Sequence, residues 1–424
     1  MRSIKTITIC ILAFFLWSTP SSFSFVQVNH KTDREKLEAL IDSFETKFLI
    51  GKHFDGQPNI DFDMDTLAVD DFRPNVIVAT LDFEHVPSSQ HGTASIAYQW
   101  DNMEFNRIHS SYWMWGTEIA GEITANTTWN PAGSPYYLTG YLQVNVGVTL
   151  NIEPGTVVRV RKFDYGEIQT EISVFGTMNC QNATFTTSCD FETYDNTQIT
   201  QTEADWDGIF IRGSGVCTMD DSLIEYAANG LFIETDGDIA ISNCTIRRCN
   251  DGIEIEDKTG THLIENNTIS DCNESIDCVN MTSALEINGN TIASAAKWNS
   301  LTGVLISNAS PVISGNTISG FDAGIRCYSS SSDITLNNIQ NNFYGFYCGS
   351  GASPVIHNNN IEGNTGYGLY NFDSGITIDA ENNWWGDASG PYNYTTNPSG
   401  LGDNVSDYVD FIPWLTSQVT AILP

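Results

Sequence analysis

The chain of 424 residues carries 52 acidic against 18 basic side chains, a formal net charge of −34. That balance excludes ordinary nucleic-acid binding, which needs a cationic footprint to displace counterions, and it disfavours anionic membrane surfaces as partners. With 41% hydrophobic and 11% aromatic residues the chain can bury a sizeable core, and its 34 glycines suit turns and sheets better than helices.

The N-terminus reads as an export signal. Arg2 and Lys5 precede an apolar run from Ile7 to Trp17, and Ser22 and Ser24 supply small residues before Phe25. This order predicts a signal peptide over residues 1–24 and a secreted or cell-surface protein. The run is too short to span a bilayer and no later stretch is longer, so no transmembrane segment is expected. Nine cysteines follow, an odd count that leaves at least one thiol without an intramolecular partner.

Residues 25–124 do not repeat and predict a small α+β cap or accessory region. Thr32 and Glu35 match a capping box, and Leu37, Leu40, Ile41, Phe44 and Phe48 share a helical face. Strands are expected from Val76 to Leu81 and from Ala94 to Trp100, followed by Tyr112-Trp113-Met114-Trp115. Trp113 and Trp115 leave open a separate sugar-binding module.

Self-comparison then dominates. Gly followed by an aliphatic or aromatic residue recurs at Gly208, Gly230, Gly252, Gly303, Gly324, Gly345 and Gly368, with Ser275-Ile276 filling the missing beat. A second ladder keeps step: Ile224, Ile246, Ile269, Ile292, Ile318, Ile339, Ile361 and then Trp384. A period of about 22 residues admits leucine-rich repeats or a parallel β-helix, and the long leucine line of the former is missing. Each repeat therefore reads as one coil of a β-helix over residues 125–415, followed by a short tail, 416–424. Period-two alternation puts Ile209, Ile211, Ile253 and Ile255 inward and Phe210 and Glu254 outward. The cysteines fall on inward or turn positions and read as small buried hydrophobes, with a Cys327–Cys348 disulfide as an alternative. Asn243, Asn266 and Asn337 are expected to satisfy turn backbone groups, and Trp384 to close the last coil from an inward position.

These repeats resemble the right-handed parallel β-helix proteins of the pectin-lyase-like superfamily, and most closely exported bacterial β-helix repeat proteins. The opening segments Ser134 to Leu138 and Gly147 to Val158, the repeats, and the closing Asn382-Asn383-Trp384-Trp385-Gly386, Gly390-Pro391 and Val409 to Leu415 carry the resemblance. It implies an all-β fold, a single right-handed solenoid with the N-terminal α+β region attached. It does not fix an activity, because the fold hosts lyases, hydrolases, epimerases, adhesins and inert stalks. In the enzymes of the superfamily the cleft lies along one parallel sheet, and here the Gly-Ile strands match that sheet.

The outward residues of those strands, one per coil, are Phe210, Phe232, Glu254, Asp277, Leu305, Arg326, Tyr347 and Tyr370. Adjacent coils place Glu254 and Asp277 roughly 5 Å apart at the backbone. At that separation the charges raise one pKa, or calcium bridges the two. The expectation is an exported, monomeric, non-catalytic protein that binds a polysaccharide or surface glycan through Phe210, Phe232, Tyr347 and Tyr370. The alternative is a polysaccharide lyase or glycoside hydrolase using Glu254, Asp277 and Arg326. No cofactor is required unless calcium occupies Glu254 and Asp277, and no nucleic acid is expected. After Arg326 the chain contains no Lys or Arg, so that half of the face could hold a polyanion only through added cations. A long acidic insertion between Phe185 and Ile224, with Asp190, Glu192, Asp195, Glu203, Asp205 and Asp207, reads as a calcium-ordered or disordered loop.

Overall fold

The computed structural model describes residues 60–73, 76–85, 90–101, 104–114, 116–160, 170–187, 206–256, 259–282, 284–295 and 301–420, together with Glu38 and Ile41. The expected signal peptide, the capping box at Thr32, the side chains of Trp113 and Trp115, and the insertion from Asp190 to Asp205 lie outside the described residues. The chain divides into two compact units, one built on residues 1–117 and the other on most of the remainder.

In the first unit, Ile60–Arg73, Val76–His85, Gln90–Asp101 and Glu104–Met114 form a sequential antiparallel sheet. Alternation places Phe62, Leu81 and Phe83 on a buried side. Phe62 and Phe83 face each other directly across the first two strands, ring edge to ring face, with centroids 6.4 Å apart.

The second unit is a right-handed parallel β-solenoid of about ten coils. Each coil contributes one short strand to each of three faces, and every neighbouring pair within a face is parallel. The Gly-Ile strands form the first face: Trp206–Gly213, Ala227–Thr235, Asp251–Glu256, Glu274–Val279, Thr302–Ser307, Ala323–Tyr328, Tyr344–Gly349 and Tyr367–Asn371. Ile209, Leu231, Ile253, Ile276, Val304, Ile325, Phe346 and Leu369 stack through the interior, all fully buried. The inward column two residues on runs Ile211, Ile233, Ile255, Cys278, Ile306, Cys327, Cys348 and Asn371, one opposite the next. Gly252 is required by closeness alone. A Cβ there would lie 2.4 Å from the Ser275 carbonyl oxygen of the next coil.

Two corners obey different rules. At one, a column of residues adopts positive φ, including Asn243 (54°), Asn266 (56°), Asn358 (56°) and, unexpectedly, Leu336 (60°). The residues that follow them form a second, buried column headed by Cys244 and continuing as Asn267, Asn290, Asn316, Asn337, Asn359 and Asn383. Their amides bond in series, Asn267 to Asn290 at 3.0 Å through to Asn359 to Asn383 at 3.0 Å, and each also donates to an isoleucine carbonyl of the preceding coil. Asn243 and Asn266 therefore do a different job from Asn337, with which the sequence reading grouped them. The first two accept the left-handed turn; the third satisfies buried backbone.

The closing coil corrects a second expectation. Trp385, not Trp384, is the fully buried ring. Trp384 is half-buried, and its indole N–H donates to Glu362 Oε2 at 3.1 Å. Past it, Val419 exchanges two backbone bonds with the Asn360 amide, 2.7 and 2.9 Å, laying the tail across the last coils. All eight described cysteines are buried free thiols, and Cys327 and Cys348 stand directly opposite each other without a disulfide.

Candidate functional site

The outward column occupies the predicted register without a slip: Phe210 opposite Phe232, then Glu254, Asp277, Leu305, Arg326, Tyr347 and Tyr370 in unbroken succession. A second column runs beside it, three residues earlier on each strand. It reads Asn229, Asp251, Glu274, Thr302, Ala323, Tyr344 and Tyr367. This column was not anticipated. Strict alternation would turn Asp251 inward, yet it is half-buried beside Glu254 while Gly252 and Ile253 after it are buried.

Four carboxyl groups thus meet on two adjacent coils, Asp251 opposite Glu274 and Glu254 opposite Asp277. Among the described residues none of the four is in an ion pair. Asn229 Nδ2 donates to Glu254 Oε2, and Asn250 Nδ2 donates to Asp251 Oδ2 at 3.0 Å. Asp277 is 9% exposed and its Oδ1 has no partner. Burial first, then the charges of Glu274 and Glu254 and a hydrogen bond with Glu274, push its pKa up to about 8, so the Asp277–Glu274 pair shares a proton at neutral pH. Burial, then Glu274, raises Asp251 to about 6, and burial, then Asp251, raises Glu254. No three His, Cys, Asp or Glu side chains among the described residues converge to ligate a metal ion. Calcium at Glu254 and Asp277 would need oxygen ligands from outside that set.

Arg326 does not reach the carboxyl group cluster, because Leu305 stands in the register between it and Asp277. Its guanidinium is held by Asp322 at 2.5 Å and lies over the Tyr347 ring, 5.5 Å from the centroid. Beyond it the two columns merge into an aromatic surface. Tyr344 and Tyr367 lie nearly parallel, 6.2 Å apart and 13° between planes, and Tyr347 and Tyr370 stack at 5.6 Å and 27°. Tyr328 and Phe372 extend the cluster at one edge, with Phe372 44% exposed. Phe372 fits because Gly349 lacks a side chain: a Cβ there would fall 2.0 Å from the ring.

The other predicted aromatic pair is less available. Phe210 and Phe232 touch at 5.3 Å, but the Arg212 guanidinium covers Phe210 at 4.4 Å, itself fixed by Glu171 and Ser173 at 2.5 Å each. Asp207, read as part of the acidic insertion, instead accepts the Thr170 backbone N–H at 2.8 Å. The structure therefore joins Tyr347 to Tyr370 and Glu254 to Asp277, sets Phe232 directly opposite Glu254, and separates Arg326 from the carboxyl groups by Leu305.

Stacked parallel coils with inward aliphatic columns define a parallel β-helix. A family model described as the right handed beta helix region matches residues 179–338 and, in a second overlapping alignment, 229–385. These residues are a right-handed β-helix region. No curated protein matches the chain.

Proposed function

We propose that the chain is an exported, extracellular or cell-surface protein that holds a polysaccharide on the Gly-Ile face without cleaving it. One observation carries this reading. Six aromatic rings in mutual contact, those of Tyr328, Tyr344, Tyr347, Tyr367, Tyr370 and Phe372, form a partly exposed surface on one sheet face. Flat, rigid rings with polar rims take the apolar faces of sugars at little cost in side-chain entropy. The leader over residues 1–24 and the acidic composition fit an extracellular setting, and a monomer suffices, since the solenoid buries its own core.

A second reading is favoured by Asp277. A carboxylic acid that keeps its proton at neutral pH beside the raised but more exposed Glu254 is the pairing that general acid–base cleavage of glycans requires. Arg326 would contribute little to such a reaction while Asp322 holds it.

Retention on immobilised polysaccharides, combined with assays for new reducing ends and for unsaturated uronate products, separates the two. Binding without turnover is the expected result. Turnover that Glu254→Gln or Asp277→Asn abolishes would replace the first reading with the second, and neither binding nor turnover across neutral, amino and uronic polysaccharides would sink both.

A further inference from the structure

Resting on the glycan-binding reading, we infer that the polysaccharide held here is built from amino sugars and binds as a polycation. Its ammonium groups sit on the carboxyl groups of Asp251, Glu254, Glu274 and Asp277, and its ring faces lie on the tyrosines.

Charge and register make the argument. The two columns continue from the carboxyl groups to the tyrosines on one sheet face, five coil steps from Glu254 to Tyr370, or about 24 Å at the usual strand spacing. One extended oligosaccharide can touch both. The carboxyl quartet is short of positive charge. Burial and the charges of Glu274 and Glu254 hold a proton on Asp277, which is hydrogen-bonded to Glu274, and its buried Oδ1 lacks any donor. A primary ammonium carries three N–H donors and one positive charge, which supplies the missing cation to the accessible carboxyl oxygens of the quartet. When it binds, the Asp277 proton leaves to solvent and the ionised carboxylate pairs with the amine.

The same features reject a polyuronate. The one cation of the outward column, Arg326, is paired with Asp322, Arg212 over Phe210 is paired with Glu171, and no Lys or Arg follows Arg326 in the chain. A carboxylated sugar would meet four acidic groups with no countercharge. A neutral sugar can stack on the tyrosines but brings no charge to the quartet.

The test uses calorimetry on the full mature chain at mildly acidic pH, where sugar amines are charged, with three hexamers: β-linked glucosamine, its N-acetylated form, and galacturonate. The glucosamine hexamer should bind at least about tenfold tighter than the N-acetylated one. Titration in buffers of different ionisation heat should show net proton release for the amine alone. The Asp251→Asn/Glu274→Gln double variant should bring the amine and acetyl affinities together, and Tyr347→Ala should weaken both equally. An N-acetylated or galacturonate hexamer that binds as tightly as the amine overturns the charge assignment while leaving glycan binding in place. Failure of all three to bind overturns it as well, and the wider panel above then decides whether the binding reading survives.

Discussion

Asn290 donates from its side-chain amide to Oδ1 of Asn316 at 2.9 Å, and its backbone N–H reaches the same oxygen at 2.8 Å. Asn316 in turn donates to the Ile287 carbonyl at 2.8 Å and to Asn337 Oδ1 at 3.0 Å. One side chain thus serves three coils. At this corner the chain passes between sheets, where the ladder bonds of either sheet cannot reach, so the amide column supplies the partners that buried backbone needs.

Asn316→Ala should therefore cost more than an ordinary core truncation. It leaves the Asn290 backbone N–H, the Asn290 amide and the Ile287 carbonyl without that partner, all in the buried interior. At about 1–3 kcal/mol for each unsatisfied group, the loss should be at least about 3 kcal/mol by denaturant unfolding. Asn316→Asp, which sets a buried carboxyl oxygen against the Ile287 carbonyl and Asn337 Oδ1, should cost at least as much. A loss below about 1 kcal/mol for the alanine variant would remove the ladder from the account of stability.

Leu336 sits at φ 60° in a column otherwise occupied by Asn, Asp and Gly, with its side chain 47% exposed. A branched apolar residue pays about 1–2 kcal/mol in the left-handed region, and exposure returns little of it. Leu336→Asn should stabilise the protein by about 1 kcal/mol, read as a raised unfolding midpoint with an unchanged slope. An equal or lower midpoint would mean that Leu336 makes contacts worth more than its strain.

The carboxyl quartet predicts a pH dependence with a definite sign. Asp277 at about 8 and Asp251 at about 6 lie above the ordinary carboxylate range, so the folded chain holds protons that the unfolded chain has released. Stability from these groups is intact below about pH 4, declines as pH rises through that window, and is lowest above about pH 8. Asp277→Asn keeps the shape and removes the ionisation. It should gain at least about 1 kcal/mol over the native chain above pH 8, the worth of less than one pKa unit, and nothing near pH 4. A difference that grows toward acid pH would show that Asp277 is ionised and stabilising in the fold.

The outward column could be read from sequence because a strand alternates with period two and because each glycine marks the start of the same strand on every coil. The neighbouring column was hidden by that same glycine. Gly252 takes the place where a side chain would strike Ser275, and alternation breaks between half-buried Asp251 and fully buried Ile253. The signal existed, in the recurrence of Asp251, Glu274, Tyr344 and Tyr367 two residues before Ile253 and its equivalents, but alternation alone points the wrong way. The tryptophan assignment failed for a related reason. Asn267, Asn316 and Asn359 each stand two residues before a buried isoleucine, and the same spacing from Asn383 reaches Trp385. Arg326 was placed correctly on the face, yet its partner Asp322 comes from the turn before the strand, where periodicity carries no information.

The tyrosine surface gives the most direct test of function. Tyr347 and Tyr370 point away from the interior, half-buried, while Cys348 and Leu369 beside them are fully buried. Truncating either ring should leave the fold intact at a stability cost of about 1–2 kcal/mol, the worth of its ring contacts. Each should weaken polysaccharide binding by about 1 kcal/mol, or about fivefold. Because the rings touch at 5.6 Å, the double variant should depart from the sum of the two losses. Phe210→Ala is the control. Arg212 already covers that ring, so its loss should leave affinity unchanged. If Phe210→Ala weakens binding while Tyr347→Ala and Tyr370→Ala do not, the ligand lies at the other end of the stripe and the tyrosines serve only to cover the sheet.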